Sequence, residues 1–330
     1  MKKILVVFTG GTIGSSAVAG TINTTHQAPF KLLQLFTQHY PQSADIEFDI
    51  LQPLQILSEN LTVIAWEILI NTIEEKNLTD YDGIIVTHGT DTLAYTAAAL
   101  SFYFNHLNIP LLLVSSNYPL EHPESNGLEN FIHAVKYIKQ QQPAGVFVPY
   151  RNSGQGMQLH KGTRLISSLQ LSSDFISVTD TVPSRFISPS IALEAQFSQQ
   201  ILMIKPYPSL NYKNINLTGV EAVLHDLYHS GTACVEPFLY EKATAHKMYS
   251  LLEFIEYCKQ QSVKVYLAPA IKSADIYQST QALINRGAEI IWNTSIEACY
   301  VKLLLAYGNF SNEEAIINFM NTNIAGEHIN

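Results

Sequence analysis

Three short apolar runs in this chain of 330 residues end in turns rich in hydroxyls and carboxylates. Ile4–Phe8 empties into TGGTIG (residues 9–14), which sets Thr12 among glycines. Ile46–Leu51 is followed by LSEN (57–60), which offers Ser58 and Glu59. GIIVT (83–87) runs into THGTDT (87–92), which offers His88, Thr90 and Asp91. A hydroxyl is a weak nucleophile that needs a partner base. Free N–H groups in a Gly-rich turn can hold the oxyanion that its attack creates. Thr12, Ser58, Glu59, Thr90 and Asp91 thus suit hydroxyl and carboxylate chemistry, without any metal-ligand spacing.

Each turn also has a plainer reading. TGGTIG could cradle a phosphate, but it lacks the G-x-G-x-x-G spacing and the lysine of a phosphate loop. It could be no more than a tight strand exit. Thr90 and Asp91 could cap a helix beginning near Leu93, since either side chain can accept from free N–H groups. His88 has no ligand partner at i+4 and no Cys/His cluster, so it is expected to pack beside the turn.

The elements that must position these turns follow from hydrophobic period. Apolar runs at Ile4–Phe8, Ile46–Leu51, Gly83–Thr87, Pro110–Ser115 and Gly145–Pro149 predict strands. Helical spacing alternates with them at Pro29–His39, Val63–Glu75, Leu93–Asn105 and Leu128–Lys139. Uniformly apolar strands separated by helices predict a parallel sheet covered on both faces. Ligands of such sheets sit beyond the carboxyl ends of the strands, so the three polar turns should converge there. The rhythm breaks at TVPSRFISPS (181–190), then resumes with strands at Ile201–Lys205, Ala222–Leu227 and Lys264–Ala268. Helices are expected at Met248–Gln260, Tyr277–Arg286 and Ser295–Tyr307. The predicted organisation is a larger N-terminal domain over 1–188, a linker over 189–200 and a smaller α/β domain over 201–330.

Composition narrows the class. About half the residues are apolar and the net charge is −9, without a basic run, which argues against nucleic-acid binding. Three cysteines (Cys234, Cys258, Cys299) form no disulfide framework or metal pattern and read as buried or incidental thiols. The run after Lys2 and Lys3 is too short for a signal peptide, and no segment approaches the ~20 apolar residues that span a bilayer. A cytoplasmic protein with no membrane partner is expected.

TGGTIG near the N-terminus, with HGTDT roughly eighty residues later, resembles the bacterial-type L-asparaginase/glutaminase family, most closely its cytoplasmic type I branch. Ser58–Glu59–Asn60 falls where that family has its substrate-binding segment. Weaker likeness continues through PLEHPESNGLENFIHA (119–134), Tyr277–Gly287 and SIEACYVKLLL (295–305). The resemblance implies a two-domain α/β asparaginase-like fold, with the larger parallel-sheet domain first. Thr12 would be the nucleophile that attacks the side-chain amide of L-asparagine, giving a β-aspartyl ester and ammonia. Thr90 would position or activate water, and Asp91 would hold the α-amino group. Ser58 and Glu59 would hold the α-carboxylate and α-amino ends. The resemblance implies no cofactor and no metal, an amino-acid amide as substrate, and a homodimer or homotetramer.

Two positions depart from the family pattern. Aligning LHKGTRLISS (159–168) puts Ser167 where the family has a catalytic lysine, with Lys161 and Arg164 nearby as possible substitutes. In the loop AVAGTINTTH (17–26), Thr21 falls nearest a tyrosine that supports the nucleophile. SSNYP (115–119) and Ser125–Asn126–Gly127 differ from the usual family residues as well. A catalytically weakened homologue that binds an amino acid, or takes another amide, is therefore a second reading. A third is an amidase subunit that supplies ammonia to tRNA-dependent transamidation. That branch carries an extra N-terminal domain, whereas this sequence opens on its first strand.

Overall fold

The computed structural model describes residues 1–18, 20–24, 28–179, 191–238 and 247–329. TVPSRFISPS (181–190), and with it the first two positions of the expected linker, lies outside the described residues. The chain divides into two compact units, Met1–Phe197 with Ile324–Gly326, and Ser198–Asn323 with Glu327–Asn330.

The first unit is built on strands β1 (Lys2–Phe8), β4 (Ile46–Leu51), β5 (Gly83–Thr87), β6 (Pro110–Val114), β7 (Gly145–Arg151) and β8 (Met157–Lys161). They lie in the order β4-β1-β5-β6-β7-β8. All pairs are parallel except β7 with β8, so the predicted parallel sheet carries one antiparallel edge strand. Every residue of β5 and β6 is buried, which explains their unbroken apolar sequences. Helices α1 (Ala28–His39), α2 (Val63–Glu74), α3 (Leu93–Tyr103) and α4 (Gly127–Lys139) alternate with these strands. Helix α3 is buried along almost its whole length, consistent with its small residues and lack of charge. The order reverses direction at β1, with β4 on one side and β5 on the other. Such a reversal opens a crevice at the carboxyl ends of the two strands that flank it. TGGTIG leaves β1 and THGTDT leaves β5 at that point.

The edge strand β8 was not predicted, and neither was a hairpin near the N-terminus. Ser15–Val18 (β2) and Thr21–Thr24 (β3) pair as an antiparallel hairpin directly after the Gly-rich turn. Apart from Val18 and Ile22 its residues are polar or small, and β3 is largely exposed, so apolar periodicity gave no signal.

The second unit is a parallel sheet in the order β12-β11-β10-β9. Its strands are β9 (Ile201–Ile204), β10 (Ala222–Asp226), β11 (Lys264–Ala270) and β12 (Glu289–Trp292). Helices α5 (Leu251–Gln260), α6 (Gln278–Asn285), α7 (Ile296–Asn309) and α8 (Glu313–Asn321) accompany it. The helix expected from Met248 begins at Leu251, because Ser250 is extended and its hydroxyl donates to the Val235 carbonyl. Strand β12 is too short to stand out in the sequence. Helix α8 announces itself only through Asn312, whose side chain accepts from the Ala315 N–H.

A fully buried ion pair closes this unit. Lys302 on α7 donates to Glu327 Oε1 at 2.6 Å and to the carbonyls of Met320 and Thr322 beyond α8. Removing one partner of a buried pair strands the other charge, which costs about 3–5 kcal/mol. Lys302→Ala is therefore expected to lower unfolding stability by about that amount. In urea titrations, Lys302→Met with Glu327→Leu should recover most of the loss; equal stability of Lys302→Ala and wild type would refute the assignment.

Candidate functional site

The turn after β1 is held by backbone bonds to the segment before Ser58. Gly11 N–H donates to the Ile56 carbonyl at 2.9 Å, and Ile56 N–H donates to the Thr9 carbonyl at 3.0 Å. Gly10 (φ 106°) and Gly11 (φ 71°) take left-handed backbone that side chains resist. Space is as limiting as torsion. A Cβ on Gly11 would lie 2.2 Å from the Gly89 nitrogen, so the backbones of the two glycines touch. A Cβ on Gly89 would meet Ser58 Oγ at 2.3 Å. Three turns, distant in sequence, thus close on one another through glycines. Thr12 and Thr90 each directly follow one of the touching glycines, so both leave from the same backbone contact.

Further bonds lock the arrangement. Thr9 Oγ1 donates to the Thr87 carbonyl at 2.6 Å, tying the ends of β1 and β5. Ser15 Oγ donates to the Gly11 carbonyl at 2.7 Å. Ser58 is buried; its hydroxyl donates to Asp91 Oδ2 and accepts from Asp91 N–H, both at 3.2 Å. Thr92 Oγ1 donates to the Ser58 carbonyl at 3.0 Å. Asp91 and Glu59 stand exposed, while Thr12 and Thr90 are half-buried. Four of the five residues singled out in the sequence thus sit at one glycine-lined junction, and Glu59 lies on the exposed face of the same turn as Ser58.

The capping alternative does not hold. The N-cap of α3 is Thr92, and no side chain caps its first turn. Thr90 and Asp91 are therefore released from helix capping, and Asp91 is turned toward Ser58 instead.

His88 is buried beneath the turn, where desolvation pushes it down to about 4, and it is neutral at pH 7. Its Nδ1 lies 2.8 Å from the Gly89 carbonyl and its Nε2 2.8 Å from Thr96 Oγ1. Because a carbonyl can only accept, Nδ1 carries the proton and Nε2 accepts from the threonine. Thr96 in turn accepts from Trp66 Nε1 at 2.9 Å. The expectation that His88 packs beside the turn agrees with this placement.

Lys161, Arg164, Ser167 and Thr21 also lie in the first unit. Arg164 is buried, with Nε donating to the Gly326 carbonyl and Nη1 to Thr179 Oγ1, both at 2.9 Å. A Cβ on Gly326 would meet Lys161 Nζ at 2.1 Å, so that ammonium packs on the same returning segment. Both cations thus lie beside Gly326. Ser167 is half-buried, and Thr21 is exposed on β3.

Among the described residues, no group of three His, Cys, Asp or Glu side chains could hold a metal ion. Cys258 and Cys299 are buried and Cys234 is exposed; burial pushes the Cys258 thiol up to about 12, which leaves it unreactive. No helix among the described residues is long and apolar enough to cross a membrane.

Comparison with known proteins adds the following. Residues 3–177 match the sequence profile described as "Asparaginase, N-terminal". The chain is 24% identical to a glutamyl-tRNA(Gln) amidotransferase subunit from Methanococcus maripaludis, over 99% of this chain and 81% of that protein. It is 32% identical to L-asparaginase 1 of Escherichia coli, over 49% of this chain and 46% of that one. Two solved structures share the fold at a TM-score of 0.76, each with 99% of both chains covered. They are a thermostable L-asparaginase from Thermococcus kodakarensis, 22% identical, and L-asparaginase I from Vibrio cholerae, 24% identical.

Proposed function

This chain belongs to the asparaginase family of amidohydrolases, and on that premise we propose that it hydrolyses L-asparagine to L-aspartate and ammonia through Thr12. The observation that supports the proposal is the Gly11–Gly89 contact, which joins the turns carrying Thr12 and Thr90 at the switch point of the sheet. Thr12 Oγ attacks the side-chain amide carbon and its proton passes toward the leaving nitrogen. The C–N bond breaks, ammonia leaves and a β-aspartyl ester remains. Thr90 positions the water that cleaves the ester and regenerates the hydroxyl. Asp91, steadied by Ser58, receives the substrate's α-amino group, and Ser58 with Glu59 takes its α-carboxylate and α-amino ends. The chemistry proposed needs no cofactor. A homodimer or homotetramer in the cytoplasm accords with the same family reading.

A second reading, a weakened homologue that binds an amino acid amide and turns it over slowly, is favoured by one observation. Of the cations nearest Ser167 in sequence, Arg164 donates to the Gly326 carbonyl, and Lys161 Nζ packs beside Gly326. Arginine is in any case too basic to accept a proton.

Ammonia release from L-asparagine and L-glutamine tests both readings. Ser167→Lys should raise kcat about ten-fold, a conservative share of the ~10²–10⁴ that a positioned proton carrier supplies. A variant no faster than wild type would remove Ser167 from the account of reduced turnover.

A further inference from the structure

The orientation of the Gly89–Thr90 peptide has an identifiable cause, and its consequence rests on the reading of Thr12 as nucleophile. In a trans peptide the C=O and the following N–H point in opposite directions. The Gly89 carbonyl is turned inward to His88 Nδ1 at 2.8 Å, so the Thr90 N–H points away from the buried imidazole. Among the described residues nothing accepts from that N–H, nor from the N–H of Thr12 across the glycine contact. Two unpartnered donors on adjoining turns form a place for a developing oxyanion.

We propose that His88, Thr96 and Trp66 are positioning residues that aim the Thr90 N–H at the oxyanion formed when Thr12 attacks the substrate amide. Hydrogen-bond direction allows one consistent chain. Trp66 Nε1 can only donate, at 2.9 Å to Thr96 Oγ1; that hydroxyl donates onward, at 2.8 Å, to His88 Nε2. With Nε2 occupied as an acceptor, Nδ1 must keep its proton and hold the Gly89 carbonyl. The chain starts on α2, crosses α3 and ends under the turn after β5, and all three side chains are buried. Trp66 is itself braced by Phe197, with ring centroids 5.3 Å apart. Burial keeps water from offering the Gly89 carbonyl another donor. Glycine at position 89 imposes little torsional preference of its own, so the bond to His88 adds a restraint on this peptide that the residue type does not supply.

The test separates donor geometry from packing. Asparagine places its amide N–H₂ where His88 has Nδ1, whereas glutamine places its amide at the level of Nε2. His88→Gln is expected to lower kcat for the amide that wild type turns over fastest by about 10–100-fold, with KM changed less than about three-fold. His88→Asn should stay within about three-fold of wild type. Thr96→Val, in the first turn of α3, should reproduce the kcat loss in smaller degree, and Thr96→Ser should restore it. Unchanged kcat in both His88→Gln and Thr96→Val, with Thr12→Ala inactive, would overturn the relay and leave the nucleophile standing. Loss confined to KM or to thermal stability would also overturn it, because that is what a merely structural histidine produces. If Thr12→Ala matches wild type, the reading on which the relay rests has failed instead.

Discussion

Thr12→Ala should abolish turnover, with kcat for L-asparagine falling by about 10⁴-fold or more. Removing a nucleophile leaves only what binding and oxyanion donors supply, and alanine cannot form the ester. The substitution takes away one hydroxyl and one methyl at a half-buried position, next to a turn fixed by backbone bonds. The two glycines, the Ile56 bonds and the Ser58–Asp91 pair remain. Folding and aspartate binding should therefore persist, the first read by thermal unfolding and the second by calorimetry. Ammonia release equal to wild type would end the assignment of Thr12. Equal and negligible release by both proteins, with aspartate still bound, would favour the weakened homologue. Loss of release together with loss of the fold would direct the test to Thr12→Ser, which keeps a hydroxyl in the same place.

Acid should destabilise both units through one buried histidine each. His88 and His225 are held neutral by burial, each pushed down to about 4 from the ordinary 6.5. Like His88, His225 is held by hydrogen bonds, to the Tyr212 hydroxyl at 2.8 Å and the Asp226 carbonyl at 2.6 Å. Between those two pH values the unfolded chain binds a proton that the folded chain refuses, so stability falls as pH drops through that window. Above it the two states bind equally and the effect vanishes. At pH 4 each histidine should cost about 3 kcal/mol relative to pH 7, and the pair about 6 kcal/mol. Urea midpoints across this range should show the decline. In His225→Phe the second unit should decline less steeply, while carboxylates, which also titrate there, contribute alike to both proteins. An identical slope in variant and wild type would refute a neutral buried His225.

The central strands of the first sheet were legible because burial on both faces writes unbroken apolar runs, as in GIIVT and PLLLV, whereas the half-exposed edge strand β8 (MQLHK) was not. The turns at their ends were legible because glycine and polar residues cannot continue such runs. Elements that owe their existence to a partner elsewhere were not. The polar β2–β3 hairpin exists through pairing of Ser15 with Thr24 and Val18 with Thr21. Strand β12 is completed by its neighbour β11, and α8 by its packing on α7 and the Lys302 anchor.

The candidate site divides along the same line. Residue type and spacing along the chain determined the set Thr12, Ser58, Glu59, Thr90 and Asp91, the family likeness, and the substitution of serine at 167. Tertiary structure alone decided what those residues do to one another. Asp91 could have capped a helix or held Ser58, and no local sequence distinguishes the two, because both use the same carboxylate. Likewise His88 was legible only as a histidine without a metal partner, packed beside its turn. Its role depends on Thr96, eight residues along the chain on α3, and on Trp66 from a different helix. The touching backbones of Gly11 and Gly89 belong to the same class of fact, since a glycine's value there is the absence of an atom, and only the approach of a second chain segment gives that absence a use.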